Sequence, residues 1–202
     1  MRRILPALSV TGCFFGALCT GTVLGQTSLD VRTRCVRVLE QSTAAKTALD
    51  YDSLERFGRQ AIAECPSSLG EWTTASMWAD VALAQMERRQ FSDALNTTNA
   101  CLQNYYDYHH CHAQHALTLV KSGKPTEAKP VIQRALRICD IAEARTRSEL
   151  ADNERRTSES AEQKKAAGEK YAARLEEVAA SRQLLETLLQ IAAIRSRLPA
   201  GR

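Results

Sequence analysis

Aromatic residues make up only 5 % of this 202-residue chain, which also holds just 9 glycines and 5 prolines. A β-sandwich or barrel draws on aromatic and β-branched side chains and on many tight turns, so this composition argues against one. No G-x-S-x-G, H-E-x-x-H or C-x-x-C pattern occurs, and "SGKP" (Ser122–Pro125) lacks the rest of a phosphate-binding loop. Acidic residues are many but scattered, and a carboxylate so placed is usually just solvated. No sign of charge dominates: the formal net charge is +4, and bases alternate with acids almost everywhere. A nucleic-acid site needs a clustered basic face, so no nucleic-acid partner is expected. These absences point to a non-enzymatic chain without a cofactor. What is present is 44 % apolar residues, many of them alanine. That favours an all-α fold packed through small contacts, with length for one moderate domain plus an extension.

Residues 1–25 read as a secretory signal peptide. "MRR" is a basic start, Ile4–Leu24 carries no charge, and Val23 and Gly25 fit the −3 and −1 positions of a cut that leaves Gln26 first. The same 21 uncharged residues are long enough for an uncleaved membrane anchor. "VTGC" (Val10–Cys13) resembles a bacterial lipobox. All three readings place the rest of the chain outside the cytoplasm, in the bacterial periplasm or secreted.

Ala94 in "FSDAL" and Ala128 in "PTEAK" are 34 residues apart. In the same register Trp78 falls on His112, Val81 on His115, Ala82 on Ala116 and Leu83 on Leu117. Downstream, Thr98 falls on Ile132, Cys101 on Ala135 and Leu102 on Leu136. Each unit reads as two helices joined by a polar turn, "MERRQFSD" in one and "VKSGKPTE" in the next, with Ser92 and Thr126 available as N-caps. Alanines recur where the two helices touch: a small residue lets the axes approach, and larger neighbours fill the grooves. A weaker unit upstream ends in "AIAECP" (Ala61–Pro66). Its first helix spans about Leu29–Leu49 and its turn is "DYDS" (Asp50–Ser53). A six-residue insert around Ser68–Thr73 separates it from the second unit. Pro130 falls early in the last repeat helix and should cost one backbone hydrogen bond.

This period and its small/large pattern resemble the tetratricopeptide repeat. Trp78, Ala82, Ala94, Ala116, Gly123, Ala128 and Ala135 stand on the family's preferred positions, and Leu54 departs where alanine is expected. The resemblance covers about half the chain. It implies three helix-turn-helix repeats, 35–68, 75–108 and 109–142, stacked as an α-solenoid within residues 29–142. It also implies a concave groove, lined by the first helix of each pair, for an extended peptide or a partner helix. The family's groove positions carry over to Leu39, Thr43, Ser76, Ala79, Asp80, Leu83, Glu87, His110, Ala113, Gln114, Leu117 and Lys121. The lysine/asparagine clamp of the chaperone-binding members is replaced by Leu39, Ala79 and Ala113, so that specialty is not expected.

"DYHHCHAQHA" (Asp107–Ala116) holds all 4 histidines. In the repeat register His112 and His115 take the places of Trp78 and Val81, which face the pair partner, so packing is the first expectation. The three-residue spacing of His109, His112 and His115, beside Cys111, leaves a metal- or redox-linked protein as the alternative. Five of the 7 cysteines lie beyond residue 25, which invites disulfides in an exported chain. In an antiparallel pair, residues equally far from the turn stand opposite each other. The midpoint of Cys35 and Cys65 is Asp50, and that of Cys111 and Cys139 is Pro125. These two bridges are expected, with Cys101–Cys111 across "NYYDY" as competitor and Cys101 as the free thiol otherwise. The related Sel1-like repeat proteins are stapled in this way.

After Asp140 the period stops. Residues 143–170 mix acids and bases around one large aliphatic, Leu150, and read as a charged helix or a linker. From Tyr171 the apolar pattern returns at Leu175, Val178, Leu185, Leu189 and Ala192, interrupted by Arg182. A second stripe is Leu184, Leu188, Ile191 and Ile194. Residues 171–198 are thus an amphipathic helix whose broad apolar face must be covered. It could cap the repeats, form a coiled coil between copies and make the chain a self-associating structural protein, or lie on a membrane surface, which Glu176, Glu177 and Glu186 disfavour.

Overall fold

The computed structural model describes residues 23–156 and 158–195, and every regular element among them is an α-helix. In chain order these are α1 (Val23–Thr47), α2 (Tyr51–Glu64), α3 (Pro66–Glu87), α4 (Phe91–Asn104), α5 (His109–Lys121), α6 (Pro125–Arg155) and α7 (Ala161–Arg195). The expected signal segment and lipobox lie outside the described residues, except that Val23–Gly25 open α1. No described helix is long and apolar enough to cross a membrane.

Three of the connections share one construction. Leu49, Arg89 and Gly123 have left-handed φ values of 56°, 62° and 82°. After each, the amide of the next residue bonds five residues back: Asp50 to the Ala45 carbonyl, Gln90 to Gln85 and Lys124 to Leu119, each at 2.9 Å. The left-handed residue itself bonds three back, to Lys46, Met86 and Val120. This is the Schellman end, which satisfies two orphan carbonyls and reverses the chain within a few residues. Only Gly123 takes the left-handed conformation without a Cβ penalty. Ser92 and Thr126 are not the caps: α4 and α6 begin a residue or two earlier, after Gln90 and Lys124, and neither of those side chains caps its helix. Pro125 instead opens α6 at the first helical position, where its missing N–H costs nothing. The expected turn Asp50–Ser53 is shorter, since Asp50 caps α2 by accepting the Ser53 amide at 3.1 Å.

Arg89 and Gly123 are one period apart, whereas Leu49 and Arg89 are separated by that period plus the insert. The insert is absorbed at the start of α3, which kinks at Gly70 (φ 72°, ψ 161°) before continuing. A Gly there carries a backbone angle that side chains resist.

Each helix packs on the next, and α1 also touches α3, α3 touches α5, and α5 touches α7. The contacts run through small residues: Ala61, Ala82, Ala94, Ala116, Ala128 and Ala135 are all fully buried. At the tightest place, between α2 and α3, a Cβ on Gly58 would stand 2.6 Å from a Val81 methyl.

Residues 143–170 are not a linker. α6 continues unbroken to Arg155, with Pro130 on its exposed side, and a short bend leads into α7. α7 returns along α6 and α5, burying Val178, Leu185, Leu188 and Ala192 in the largest core cluster, with Ala116, Ile132 and Ala135. The first stripe of this face is therefore largely covered within the chain, while Leu184 and Ile194 of the second remain exposed. Burial of each large aliphatic there stabilises the fold by roughly 1.5–3 kcal/mol. Arg182, the break in the apolar seam, reaches Asp140 at 2.6 Å and Glu143 at 2.8 Å on α6.

Two glycines should respond oppositely to alanine. Gly58→Ala should lower unfolding stability by about 1–3 kcal/mol, because stiff Val81 must move. Gly168→Ala, within α7 and with nothing near its added Cβ, should raise it by up to about 1 kcal/mol. Urea unfolding of both variants checks the pair.

Candidate binding site

The four histidines diverge. His109 Nδ1 meets the Ser181 hydroxyl at 2.9 Å, and His110 Nε2 donates to Glu177 at 3.2 Å. His112 Nε2 donates to the Tyr106 carbonyl at 2.7 Å, and His115 Nδ1 meets the Thr98 hydroxyl at 2.7 Å. Among the described residues no three His, Cys, Asp or Glu side chains come together as a metal site. One nitrogen each of His109, His112 and His115 is bonded, to α7, the α4–α5 connection and α4 respectively, while His109 Nε2 and His110 Nδ1 are buried without a partner. Burial pushes His109 down to about 3, with His110 adding repulsion, and burial also lowers His112 and His115.

Cys35 and Cys65 form a disulfide that ties the far end of the α1–α2 hairpin, with Cα atoms 5.7 Å apart. The expected Cys111–Cys139 bridge is replaced by Cys101–Cys111, which joins α4 to α5 across Tyr105–Tyr108. Cys139 is the buried free thiol rather than Cys101. The reason is the turn position. The α5–α6 reversal centres on Gly123, so the residue facing Cys111 is near Ala135, one helical turn short of Cys139. Burial pushes the Cys139 thiol up to about 11, which leaves it a poor nucleophile.

The carried-over row falls on three helices that touch in succession: Leu39 and Thr43 on α1, Ser76 to Glu87 on α3, His110 to Lys121 on α5. Two ties cross it. Lys46 donates to Asp80 at 2.6 Å, and Lys121 donates to Glu87 at 3.3 Å; each pair is 34 residues apart. Burial raises the Asp80 carboxyl above its usual range, against the pull of Lys46. Asp80, Ala113 and Gln114 are buried and offer no area to a partner. Ser76, Ala79, Leu83, His110 and Leu117 are half-buried, while Thr43, Glu87 and Lys121 are exposed.

Beyond the row lies a cleft of about 800 Å³ between the start of α3, the α4–α5 connection, α6 and α7. Trp72 anchors it. Its indole N–H donates to Glu177 at 2.8 Å, its ring meets those of His109 and His110 edge-on, and Arg174 stands 5.0 Å from it. Arg174 also pairs with Glu149 at 3.3 Å, and Tyr108 donates to Glu71 at 2.8 Å. Burial and the Glu71 carboxylate push the Tyr108 phenol to about 12, while the hydrogen bond from His110 holds Glu177 below its usual range. None of these wall residues but His110 was selected by the repeat register, since they come from the insert, a connection and the extension. The one signal in the sequence was the break in period at "GEW" (Gly70–Trp72).

No family model and no curated protein matches the chain. Among solved structures it is similar to a crystal structure from Bacteroides ovatus provisionally described as a protein-binding protein. Identity is 17 %, coverage is 82 % of this chain and 91 % of that one, and the TM-score is 0.31. At that score the likeness assigns neither a fold nor a role.

Two outcomes follow from the buried groups. Under oxidising conditions, peptide mapping should find Cys35–Cys65 and Cys101–Cys111 linked, with Cys139 alkylated only after denaturation. Loop closure gives about 3.6 kcal/mol for the first bridge and about 2.7 for the second, so removing Cys35–Cys65 should cost more in a denaturant titration.

The buried histidines make the second outcome one of pH. They bind fewer protons folded than unfolded, so stability falls as pH drops below 6.5, by up to about 1.4 kcal/mol per pH unit for each excluded proton. Tm should therefore decline between pH 7 and 5, less steeply in His109→Gln.

Proposed function

We propose that the chain is an exported, non-enzymatic scaffold that binds a peptide or partner helix along the face shared by α1, α3 and α5. On this reading it consists of three tetratricopeptide-like hairpins, 35–68, 75–108 and 109–142, closed at one end by α7. The observation that carries it is the pair of ties Lys46–Asp80 and Glu87–Lys121. Glu87 and Lys121 hold the same position in successive repeats and touch, and Lys46 on α1 reaches Asp80 on α3, so the first helices lie side by side. A row built that way presents the same side-chain positions at each repeat, which is how a stack of repeats makes an extended binding face. Export is supported by the two disulfides, which persist in oxidising compartments. The N-terminal segment then acts as the signal.

The face left open is mixed: Leu83 and Ala79 offer apolar contact, Glu87 and Lys121 opposite charges. A partner with an amphipathic helix or strand fits such a face better than a polyanion. Photo-crosslinker placed at Ser76, Ala79 or Leu83 should capture one partner from an envelope extract, and Leu83→Arg should abolish the capture. Equal capture from Glu64 or Asn104, near the ends of the second helices, would show that the face is not the site.

A further inference from the structure

The cleft at Trp72 is a second place for a ligand, apart from the open row. It is enclosed on several sides and within the size range of small-molecule sites. Its lining carries four carboxylates (Glu71, Asp107, Glu149 and Glu177) and three cations (Arg145, Lys170 and Arg174). Three of its carboxylates are occupied: Glu71 by Tyr108, Glu149 by Arg174, and Glu177 by Trp72 and His110. Two of its cations, Arg145 on α6 and Lys170 on α7, make no ion pair among the described residues.

Two further features point the same way. α5 starts at this wall: its N-cap is Tyr108, whose side chain does not cap it, so the first amides of the helix lack a side-chain acceptor. Independently, Thr146 lines the cleft, is only 2 % exposed, and has no hydrogen-bond partner among the described residues. Leu69, Ile141, Ala142 and Ala173 give the remaining wall an apolar character.

We propose that this cleft binds an organic monocarboxylate, with its charge held between Arg145 and Lys170, hydrogen bonds from Thr146 and the start of α5, and its apolar body against Trp72 and Ile141. A single negative charge fits better than a phosphate dianion, because Glu71, Asp107, Glu149 and Glu177 line the same cleft and would repel the second charge. The carboxylate can belong to a free small acid or to a peptide; the recognition chemistry is shared.

The test titrates the full oxidised protein with phenylacetate, with a short apolar peptide ending in a free carboxylate, and with the amide of each, followed by tryptophan fluorescence and calorimetry. Binding of either acid, with its amide at least about tenfold weaker, is expected, as is a similar loss in the double variant Arg145→Gln, Lys170→Gln. Both side chains are exposed, and a circular-dichroism melt controls for folding. Binding of the peptide acid alone assigns the carboxylate to a peptide, and binding of phenylacetate shows that a small acid suffices. No binding of either acid up to about 10 mM, amides that bind as well as acids, or an unaffected double variant each overturns the proposal.

Discussion

Close approach of helix pairs through small side chains is the constraint on which the rest of this structure depends. Ala61, Ala82, Ala94, Ala116, Ala128 and Ala135 are wholly buried, and Gly58 has no room for even a methyl group beside Val81. With axes that close, the larger residues beside each contact interlock, and a change of one methyl is felt. The three Schellman ends keep the geometry repeatable, because each reverses the chain after the same hydrogen-bond pattern. Equal turns put α3 and α5 in step, while the insert before α3 offsets α1 from α3 by six residues. Glu87 therefore meets Lys121 at the same repeat position, whereas Lys46 meets Asp80 six residues short of its own.

The histidine-rich start of α5 packs α7 against the helices before it. His109 reaches Ser181 and His110 reaches Glu177, so α5 holds α7 through both side chains. His112 secures the α4–α5 connection through the Tyr106 carbonyl, near the Cys101–Cys111 bridge. Polar rings buried in this way add direction to a contact that alanines alone would leave free to slide. Their cost is an acid-sensitive fold, since His109 and His112, kept neutral by burial, must charge when the chain unfolds at low pH.

Much of the helix pattern could be read from residue spacing, and the failures are local. The Cys35–Cys65 midpoint lies within a residue of the left-handed Leu49, so the symmetry of the hairpin places the two sulfurs together. The same rule misplaces Cys139, because the α5–α6 reversal centres on Gly123 and not on Pro125. A shift of two residues in the turn becomes a full helical turn at the far end. The charged stretch after Asp140 could not be divided between helix and linker from composition. What settles it is tertiary: Arg182 and Arg174 on α7 answer Asp140, Glu143 and Glu149 on α6.

The sequence by itself determined the helical class, the 34-residue spacing and the small residues at the contacts, because these are properties of neighbours along one chain. Tertiary structure alone decided which cysteine stays free, what covers the last helix, and that Trp72, Tyr108, Arg145 and Lys170 share one cleft. Those residues come from the insert, a connection and two helices far apart in sequence. No periodicity links them, and only the fold of α7 back along α6 and α5 brings their chemistry to one place.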